Sequence, residues 1–205
     1  NIANAGDIET SNSLASYVGG IFGFVGTEII ANEITGNFTQ KLYSSGSQSV
    51  VELNNITNSG LITANNYSFV GGMAGVMIAN NVQAVDILNS RNVTGLNYVG
   101  GLFGSLRGKL NVAKNFGDII NEEEVTLNNI GGLLGYLEIY GERKQEAGSF
   151  KWFYYGVTEV KNIQNIGSVT VETTNSGALI GKAQIANSTN LFEFKSKEVI
   201  SQSMA

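Results

Sequence analysis

Short apolar stretches alternate with Asn- and Gly-rich turns along most of this 205-residue chain. Segments such as SVVELNNIT (49–57) and VTEVKNI (157–163) are rich in β-branched residues, which is typical of strands. The Asn and Gly residues between such segments are typical of turns. No long segment keeps a clean helical period, so the pattern predicts an all-β protein.

Two signatures recur five times in fixed order. The first is a pentad, Gly-Gly-apolar-apolar-Gly, whose fifth copy has Ala178 in second place. The second is an Asn-centred turn that lies 11 to 16 residues upstream of each pentad. The pentad glycines are Gly19, Gly20, Gly23, Gly71, Gly72, Gly75, Gly100, Gly101, Gly104, Gly131, Gly132, Gly135, Gly177 and Gly181. The upstream asparagines are Asn4, Asn58, Asn89, Asn115 and Asn165.

The spacing of the copies predicts stacked coils. The pentads that begin at Gly71, Gly100 and Gly131 are 29 and 31 residues apart, and a period of about 30 residues is typical of solenoids. We therefore expect a right-handed β-solenoid (β-helix) of about five coils in a single domain, 1–205. Two longer gaps predict insertions at about 27–50 and 137–158, and residues 190–205 are expected to form a C-terminal cap or tail.

Aligning the pentads predicts which side chains are buried. If each pentad is one strand, its first apolar position and the position four residues later face inward with the third glycine between them. These columns are Ile21, Met73, Leu102, Leu133, Leu179 and Val25, Met77, Leu106, Leu137, Ala183. The residue after the third glycine would face outward, and that column is Phe24, Val76, Ser105, Tyr136, Lys182.

The glycines and asparagines have separate expected roles. Inward glycines would leave room for a large side chain from the opposite wall and would permit bends with positive φ. The asparagines would form the neighbouring corner, where Asn tolerates the left-handed region. Equivalent Asn side chains in successive coils would stack as a ladder.

The pentads resemble the GLUG motif of bacterial surface and adhesin-like proteins, which also accompanies the catalytic part of IgA-cleaving metallopeptidases. GGLFG at Gly100 and GGLLG at Gly131 match best, and the sequence departs from the pattern at Ala178 and at Arg91. The resemblance covers roughly residues 4–183 outside the insertions. It implies a secreted or surface-exposed β-solenoid module and carries over no catalytic residues.

Composition narrows the chemistry. The chain has no Cys, His or Pro, so it has neither a Ser-His-Asp triad nor the usual zinc ligands. A net charge of −5 argues against nucleic acid as a partner. The longest apolar runs are about half of what a membrane helix needs, so we expect no membrane insertion. We expect no cofactor and no metal.

Acidic residues give two weak candidates. The run Glu122–Glu124 is either a calcium site or a solvated loop, and we favour the loop. Asp7 and Asp118 occupy equivalent repeat positions, but in coils one and four they would be too far apart for acid–base work.

The most unusual segment is FKWFYYG (150–156) in the second insertion. We expect a hairpin with a strand near Tyr136–Tyr140, a charged turn at Glu142–Glu146 and a return strand near Phe150–Tyr155. Trp152, Tyr154 and Tyr155 are candidate ligand-binding residues, because exposed aromatic side chains mark interfaces. The competing interpretation, which we favour, is that these rings cover one side of the solenoid or plug its core.

The sequence thus favours a non-enzymatic structural or binding module of a larger bacterial protein, located outside the cell or on its surface. It would act as an adhesin-like segment or spacer that contacts a glycan or a host surface protein. The alternative is a carbohydrate-active β-helix enzyme or polysaccharide-binding domain.

Overall fold

The computed structural model describes residues 1–11, 16–26, 50–64, 68–121, 128–146, 149–154, 159–171 and 175–186, without the side chains of 26, 50, 78–82, 139–146, 149–154 and 184–186. In these ranges the regular structure is entirely β, which confirms the predicted fold class. The same ranges contain no helix long and apolar enough to span a bilayer.

Nineteen strands follow one another in the described part of the chain. In order they are β1 (Ile2–Asn4), β2 (Ile8–Thr10), β3 (Tyr17–Gly19), β4 (Phe22–Gly26), β5 (Val50–Asn58), β6 (Ile62–Ala64), β7 (Phe69–Gly71), β8 (Ala74–Asn89), β9 (Val93–Thr94), β10 (Tyr98–Gly100), β11 (Phe103–Asn115), β12 (Ile119–Ile120), β13 (Asn129–Gly131), β14 (Leu134–Glu146), β15 (Ser149–Tyr154), β16 (Glu159–Asn165), β17 (Val169–Thr170), β18 (Asn175–Gly177) and β19 (Ile180–Ala186).

These strands form five coils that stack in chain order. Coil 1 is β1–β4, and coil 2 runs from β5 to the first part of β8. Coil 3 runs from the rest of β8 to the first part of β11, and coil 4 from the rest of β11 to the first part of β14. Coil 5 is β16–β19. One nine-stranded sheet holds the first and last strand segments of every coil. The middle segments form two five-stranded sheets, one of β2, β6, β9, β12 and β17 and the other of β3, β7, β10, β13 and β18.

Neighbouring coils pair in parallel and in a shared register, so equivalent residues lie above one another. Gly71 pairs with Gly100, which pairs with Gly131, and Gly19 and Gly177 extend the same column. Parallel sheets stacked coil on coil make the chain a β-solenoid. Its right-handedness stays a prediction.

Among the described residues, two apolar clusters fill the solenoid. The larger lies against the inner face of the nine-stranded sheet and includes Met73, Leu102, Leu133 and Phe103. The smaller lies between the two five-stranded sheets and includes Val70, Val99 and Ile119. Leu102 and Leu133 are fully buried, and the Leu102 amide donates to the Leu133 carbonyl at 2.9 Å. Both predicted inward columns pack in or against the larger cluster, so these two predictions are confirmed.

The pentad is not one strand, and that prediction was wrong. Its first glycine ends one strand, as Gly100 ends β10, and its fourth residue begins the next, as Phe103 begins β11. The pentad is therefore a corner. This explains why two adjacent apolar residues, Leu102 and Phe103, both reach the larger cluster, whereas alternate residues of one strand would point to opposite faces.

The roles expected for the third glycine were also wrong. A Cβ placed on Gly104 would lie 2.6 Å from the Val70 nitrogen and 2.7 Å from the Tyr98 oxygen. This glycine therefore permits two backbones to approach and leaves no space for a large side chain. Among the described glycines only Gly108 has a positive φ, at 143°, so positive φ is not what the pentads require.

The column after the third glycine is not uniformly exposed. Val76 and Ser105 are buried, and Tyr136 is half-buried. The column runs beside the rings of the neighbouring strands, as the 5.4 Å Tyr17–Phe24 and 5.9 Å Tyr98–Tyr136 centroid distances show. Aromatic packing outside the corner therefore covers part of a surface that we expected to be open.

The insertions differ from their expected bounds where the structure describes them. Val50 already belongs to β5, and Leu137–Tyr140 pair with β19 as part of coil 4. The second insertion is a hairpin in which β14 and β15 pair antiparallel from Gly141–Tyr154 to Glu146–Ser149. Residues 142–146 are therefore strand and not turn. Residues 27–49 and the expected cap at 190–205 lie outside the described residues.

Candidate functional site

The five upstream asparagines form a continuous hydrogen-bonded ladder. Each Nδ2 donates to the Oδ1 of the next asparagine at 2.7–2.9 Å, from Asn4 through to Asn165. Each Nδ2 also donates to the carbonyl two residues on, at 2.6–2.8 Å. Asn58, Asn89 and Asn115 are fully buried, where amides need such partners. The predicted ladder is confirmed.

The two sequence signatures contact each other, which explains why they recur together. A Cβ on the second pentad glycine would lie 2.6 Å from the Asn amide of the next coil at Gly20 and Gly72, and closer still at Gly101 and Gly132. Each amide therefore rests on a glycine of the coil before it. A side chain at that glycine would displace the ladder.

The two departures from the motif fit this geometry. Ala178 belongs to coil 5, where no further described coil places an Asn against it. Arg91 replaces glycine two residues after Asn89, but only its carbonyl takes part in the ladder, at 2.6 Å from Asn89 Nδ2.

A second column of polar side chains links the coils through backbone amides. Asp7 accepts from the Leu61 amide at 2.8 Å, Asn92 from the Asp118 amide at 3.0 Å, and Asp118 from the Ser168 amide at 2.9 Å. Asp7 and Asp118 do occupy equivalent positions in coils 1 and 4. Each joins its own coil to the next, which is a structural role.

A left-handed residue recurs in the same place in four coils. Asn55, Asp86, Val112 and Asn162 have φ between 52° and 55°, and each lies three residues before a ladder asparagine. The ladder asparagines themselves are not left-handed, so that prediction was wrong. At each site two successive residues face outward, as Asn111 and Val112 do between the buried Leu110 and Ala113. These four coils are therefore bent at the same position of the repeat.

This bend shapes a groove on the outer face of the nine-stranded sheet. The groove has a volume of about 750 Å³ and crosses coils 1 to 4. Its lining residues are Asn1, Ile2, Ala3, Asn55, Thr57, Asp86, Ile87, Leu88, Val112, Lys114 and Phe116. At about 4.8 Å per coil, four coils span roughly 14 Å along the solenoid axis.

The groove combines apolar and hydrogen-bonding surface. Phe116 is 46% exposed and Val112 37% exposed, and the side chains of Asn55, Thr57, Asp86 and Lys114 also reach solvent. Of the described residues that line the groove, Asp86 carries the one carboxylate. Such a surface suits an extended ligand with both apolar faces and polar edges.

A second surface, the aromatic row, comprises Tyr17, Phe24, Phe69, Tyr98 and Tyr136. The Phe69 and Tyr98 rings stack with centroids 4.2 Å apart. Burial raises the pKa of Tyr136 to about 12, with smaller contributions from Glu138 and Tyr98, while Arg107 acts in the opposite direction. The buried Arg107 guanidinium lies 2.7 Å from Glu138 Oε1. We read this surface as packing between coils.

The hairpin contains two of the three aromatic residues that are candidates for binding a ligand. Trp152 and Tyr154 lie in β15, where Trp152 pairs with Arg143 and Tyr154 with Gly141, and Tyr155 lies outside the described residues. The structure therefore supports the hairpin and leaves its ligand role a prediction. Glu122–Glu124 also lie outside the described residues. Among the residues with described positions, no three acidic side chains are grouped as metal ligands would be.

The groove escaped the sequence reasoning because no single motif marks it. A usable signal was present: Asn or Asp lies three residues before the ladder asparagine in three of the four bent coils, at Asn55, Asp86 and Asn162. In the remaining bent coil this position is Val112, which breaks the pattern.

Comparison of the chain with protein-family models, with curated proteins and with solved structures found no match.

Proposed function

We propose that the chain is a non-catalytic structural and binding module of a secreted or cell-surface bacterial protein, and that its outer groove binds an extended glycan segment. The single observation that carries this proposal is the groove across coils 1 to 4. The GLUG-like pentads support an adhesin-like segment or a spacer. The rest of the parent chain would place the module at its target.

The use of the repeated residues supports a scaffold role. The ladder asparagines are bonded to one another, and the pentad glycines face the backbone or the ladder. The residues that repeat are therefore committed to internal contacts. The groove residues differ from coil to coil, as Asn55, Asp86 and Val112 do, and these variable outward positions carry the recognition chemistry.

The chemistry of the groove favours a glycan. Sugar rings have apolar faces and edges that both donate and accept hydrogen bonds. An exposed Phe116 ring can lie against such a face, while the amide of Asn55 and the hydroxyl of Thr57 both donate and accept. A host protein is the alternative partner, and the hairpin with Trp152, Tyr154 and Tyr155 is a second candidate contact surface for either.

The carbohydrate-active enzyme is the competing function. Glycosidases generally use two carboxylates on either side of the bond that they cleave. Asp86 is the one carboxylate among the described residues that line the groove. Binding without turnover is therefore the better-supported activity.

A glycan array followed by calorimetry tests the proposal. For a glycan selected on the array, we expect Phe116→Ala and Thr57→Ala to weaken binding by about tenfold each, since loss of a good contact costs about 1–2 kcal/mol. Ile166→Ala is the matched control. Ile166 follows Asn165 as Phe116 follows Asn115, it is 52% exposed, and it does not line the groove.

Four outcomes would contradict parts of this proposal. If no glycan binds, or if Ile166→Ala weakens binding as much as Phe116→Ala, the groove is not the glycan site. If Trp152→Ala alone abolishes binding, the hairpin is the site. If a polysaccharide is cleaved and Asp86→Asn stops the cleavage, the module is an enzyme.

A further inference from the structure

The first and last described coils differ in how well they could accept another coil. At coil 1, Ile2 pairs with the buried Ile56 and belongs to an inward column whose later members are at most 5% exposed, yet Ile2 itself is 46% exposed. Ile8 is likewise half-buried, while Ile62 in the next coil is fully buried. Within the described residues, apolar core surface is therefore exposed at the edge of coil 1.

Coil 5 presents a more polar end. Ser176 continues the column of Val18, Val70, Val99 and Ile130, and both Ser176 and Ala178 are exposed. Terminal repeats of solenoids commonly have such a polar outer surface. The two ends are therefore unlike, although the coils between them share one register.

The ladder has a direction that gives each end a defined partner. Every described ladder bond runs from Nδ2 of one coil to Oδ1 of the next. At coil 1 the Asn4 Oδ1 accepts from the Gly6 amide at 3.2 Å and receives no ladder bond within the described chain. A coil placed before coil 1 would supply that donor, as β-strand addition to an open sheet edge does generally.

Such a coil must carry glycine at its second pentad position. At Gly132 a Cβ would lie 2.5 Å from Asn165 Cγ and would also meet the carbonyl oxygen of Ala178. In a head-to-tail pair of chains, Ala178 of one copy would lie against Asn4 of the other. This contact would have the same geometry as the contact of Gly132 with Asn165 within one chain. The methyl group of Ala178 would then overlap the Asn4 amide.

We propose that the open edge of coil 1 is a docking surface for a coil of the same repeat type that has glycine at the second pentad position, and that Ala178 keeps the chain's own coil 5 from occupying it. The wild-type chain therefore does not polymerise head to tail. Removing a single methyl group converts coil 5 into the partner that the coil 1 edge accepts.

Sedimentation and light scattering of the full chain test this. The wild-type chain is expected to keep the mass of one chain as its concentration rises. Ala178→Gly is expected to associate with increasing mass, and labelled Ala178→Gly chain is expected to bind wild-type chain through the coil 1 edge of the latter. Circular dichroism checks that each variant keeps its β-structure.

Matched variants distinguish the proposed contact between Ala178 and Asn4 from nonspecific association. Ala178→Ser keeps the Cβ and should remain a single chain, as should Ser176→Val with Ala178 retained. Adding Asn4→Leu to Ala178→Gly removes the ladder acceptor and should weaken association by about fivefold, the effect of one hydrogen bond. The proposal is overturned if Ala178→Gly stays a single chain at all concentrations, if Ala178→Ser associates equally well, or if Asn4→Leu has no effect.

Discussion

Replacing Gly101 with alanine is the sharpest test of how the pentads and the ladder depend on each other. A Cβ at Gly101 would lie 2.5 Å from Asn115 Nδ2 and would also meet the Gly132 carbonyl oxygen. Asn115 is fully buried and cannot move away without breaking its bonds. Gly101→Ala should therefore destabilise the fold although the change adds only one methyl group.

The expected magnitude follows from the bonds that Asn115 makes. Its three shortest bonds are accepted from Asn89 at 2.7 Å, donated to Asn165 at 2.8 Å and donated to the Gly117 carbonyl at 2.6 Å; a longer fourth bond is accepted from the Gly117 amide at 3.3 Å. At about 1 kcal/mol of net stability for each of the three shortest bonds, their loss lowers the free energy of unfolding by about 3 kcal/mol. With a urea m-value of about 2–3 kcal/mol/M, the unfolding midpoint should fall by about 1 M.

Gly6→Ala is the matched control. The nearest atom to a Cβ at Gly6 is Asn4 Oδ1 at 3.7 Å, an ordinary contact, so its unfolding midpoint should stay close to that of the wild type. The double variant Gly101→Ala with Asn115→Ala should lose less stability than the sum of the two single changes, because the two side chains then no longer compete for space. Equal midpoints for Gly101→Ala and Gly6→Ala would refute the reasoning.

Three further changes test other columns of the solenoid. Val112→Asn should raise the free energy of unfolding by about 1 kcal/mol, because a left-handed backbone strains a β-branched residue and suits Asn; no gain in a urea titration would argue against strain at this site. Leu61→Asn should raise the free energy of unfolding by about 1 kcal/mol, because the new side chain would accept a hydrogen bond from the Asn92 backbone amide. Asp7, Asn92 and Asp118 accept such bonds from the backbone of the next coil; an unchanged urea midpoint would count against the column. Burial raises the pKa of Tyr136 to about 12, whereas an unfolded tyrosine titrates near 10, so unfolding releases a proton between these values and stability falls as pH rises through this window. Tyr136→Phe should make that fall shallower in unfolding titrations from about pH 9 to 12, and an identical slope would contradict the assignment.

The repeat made the fold predictable from the sequence. Five copies of a pentad fixed the coil number, and the column Ile21, Met73, Leu102, Leu133, Leu179 indicated which residues stack. The ladder was predictable because a buried Asn amide in each coil has an equivalent amide in the next as its natural partner.

The errors arose where one residue type serves several backbone geometries. Glycine occurs in strands, at bends and at close backbone contacts, so GGLFG did not by itself distinguish a strand from a corner. The role of the second glycine could not be predicted without the position of the ladder asparagine. At Gly101 that asparagine is Asn115, 14 residues further along the chain. That contact joins two coils and becomes visible only when the stacking is known.

The groove was hidden for a related reason. It is lined by residues of four coils that share no common residue type, and the backbone feature that shapes it falls on Asn55, Asp86 and Val112 alike. The sequence predicted the aromatic hairpin as the candidate ligand site instead, because its unusual composition is visible within one short segment.

Cysteine cross-linking tests the stacking of the coils most directly, since the chain has no native Cys. Leu88 and Lys114 are register partners in neighbouring coils, and Lys114 is in turn the partner of Gln164. Parallel strands about 4.8 Å apart are within reach of a disulfide, so Leu88→Cys with Lys114→Cys should cross-link on mild oxidation. Leu88→Cys with Gln164→Cys, two coils and about 10 Å apart, should remain reduced. A disulfide in the second pair and none in the first would contradict the stacked-coil account.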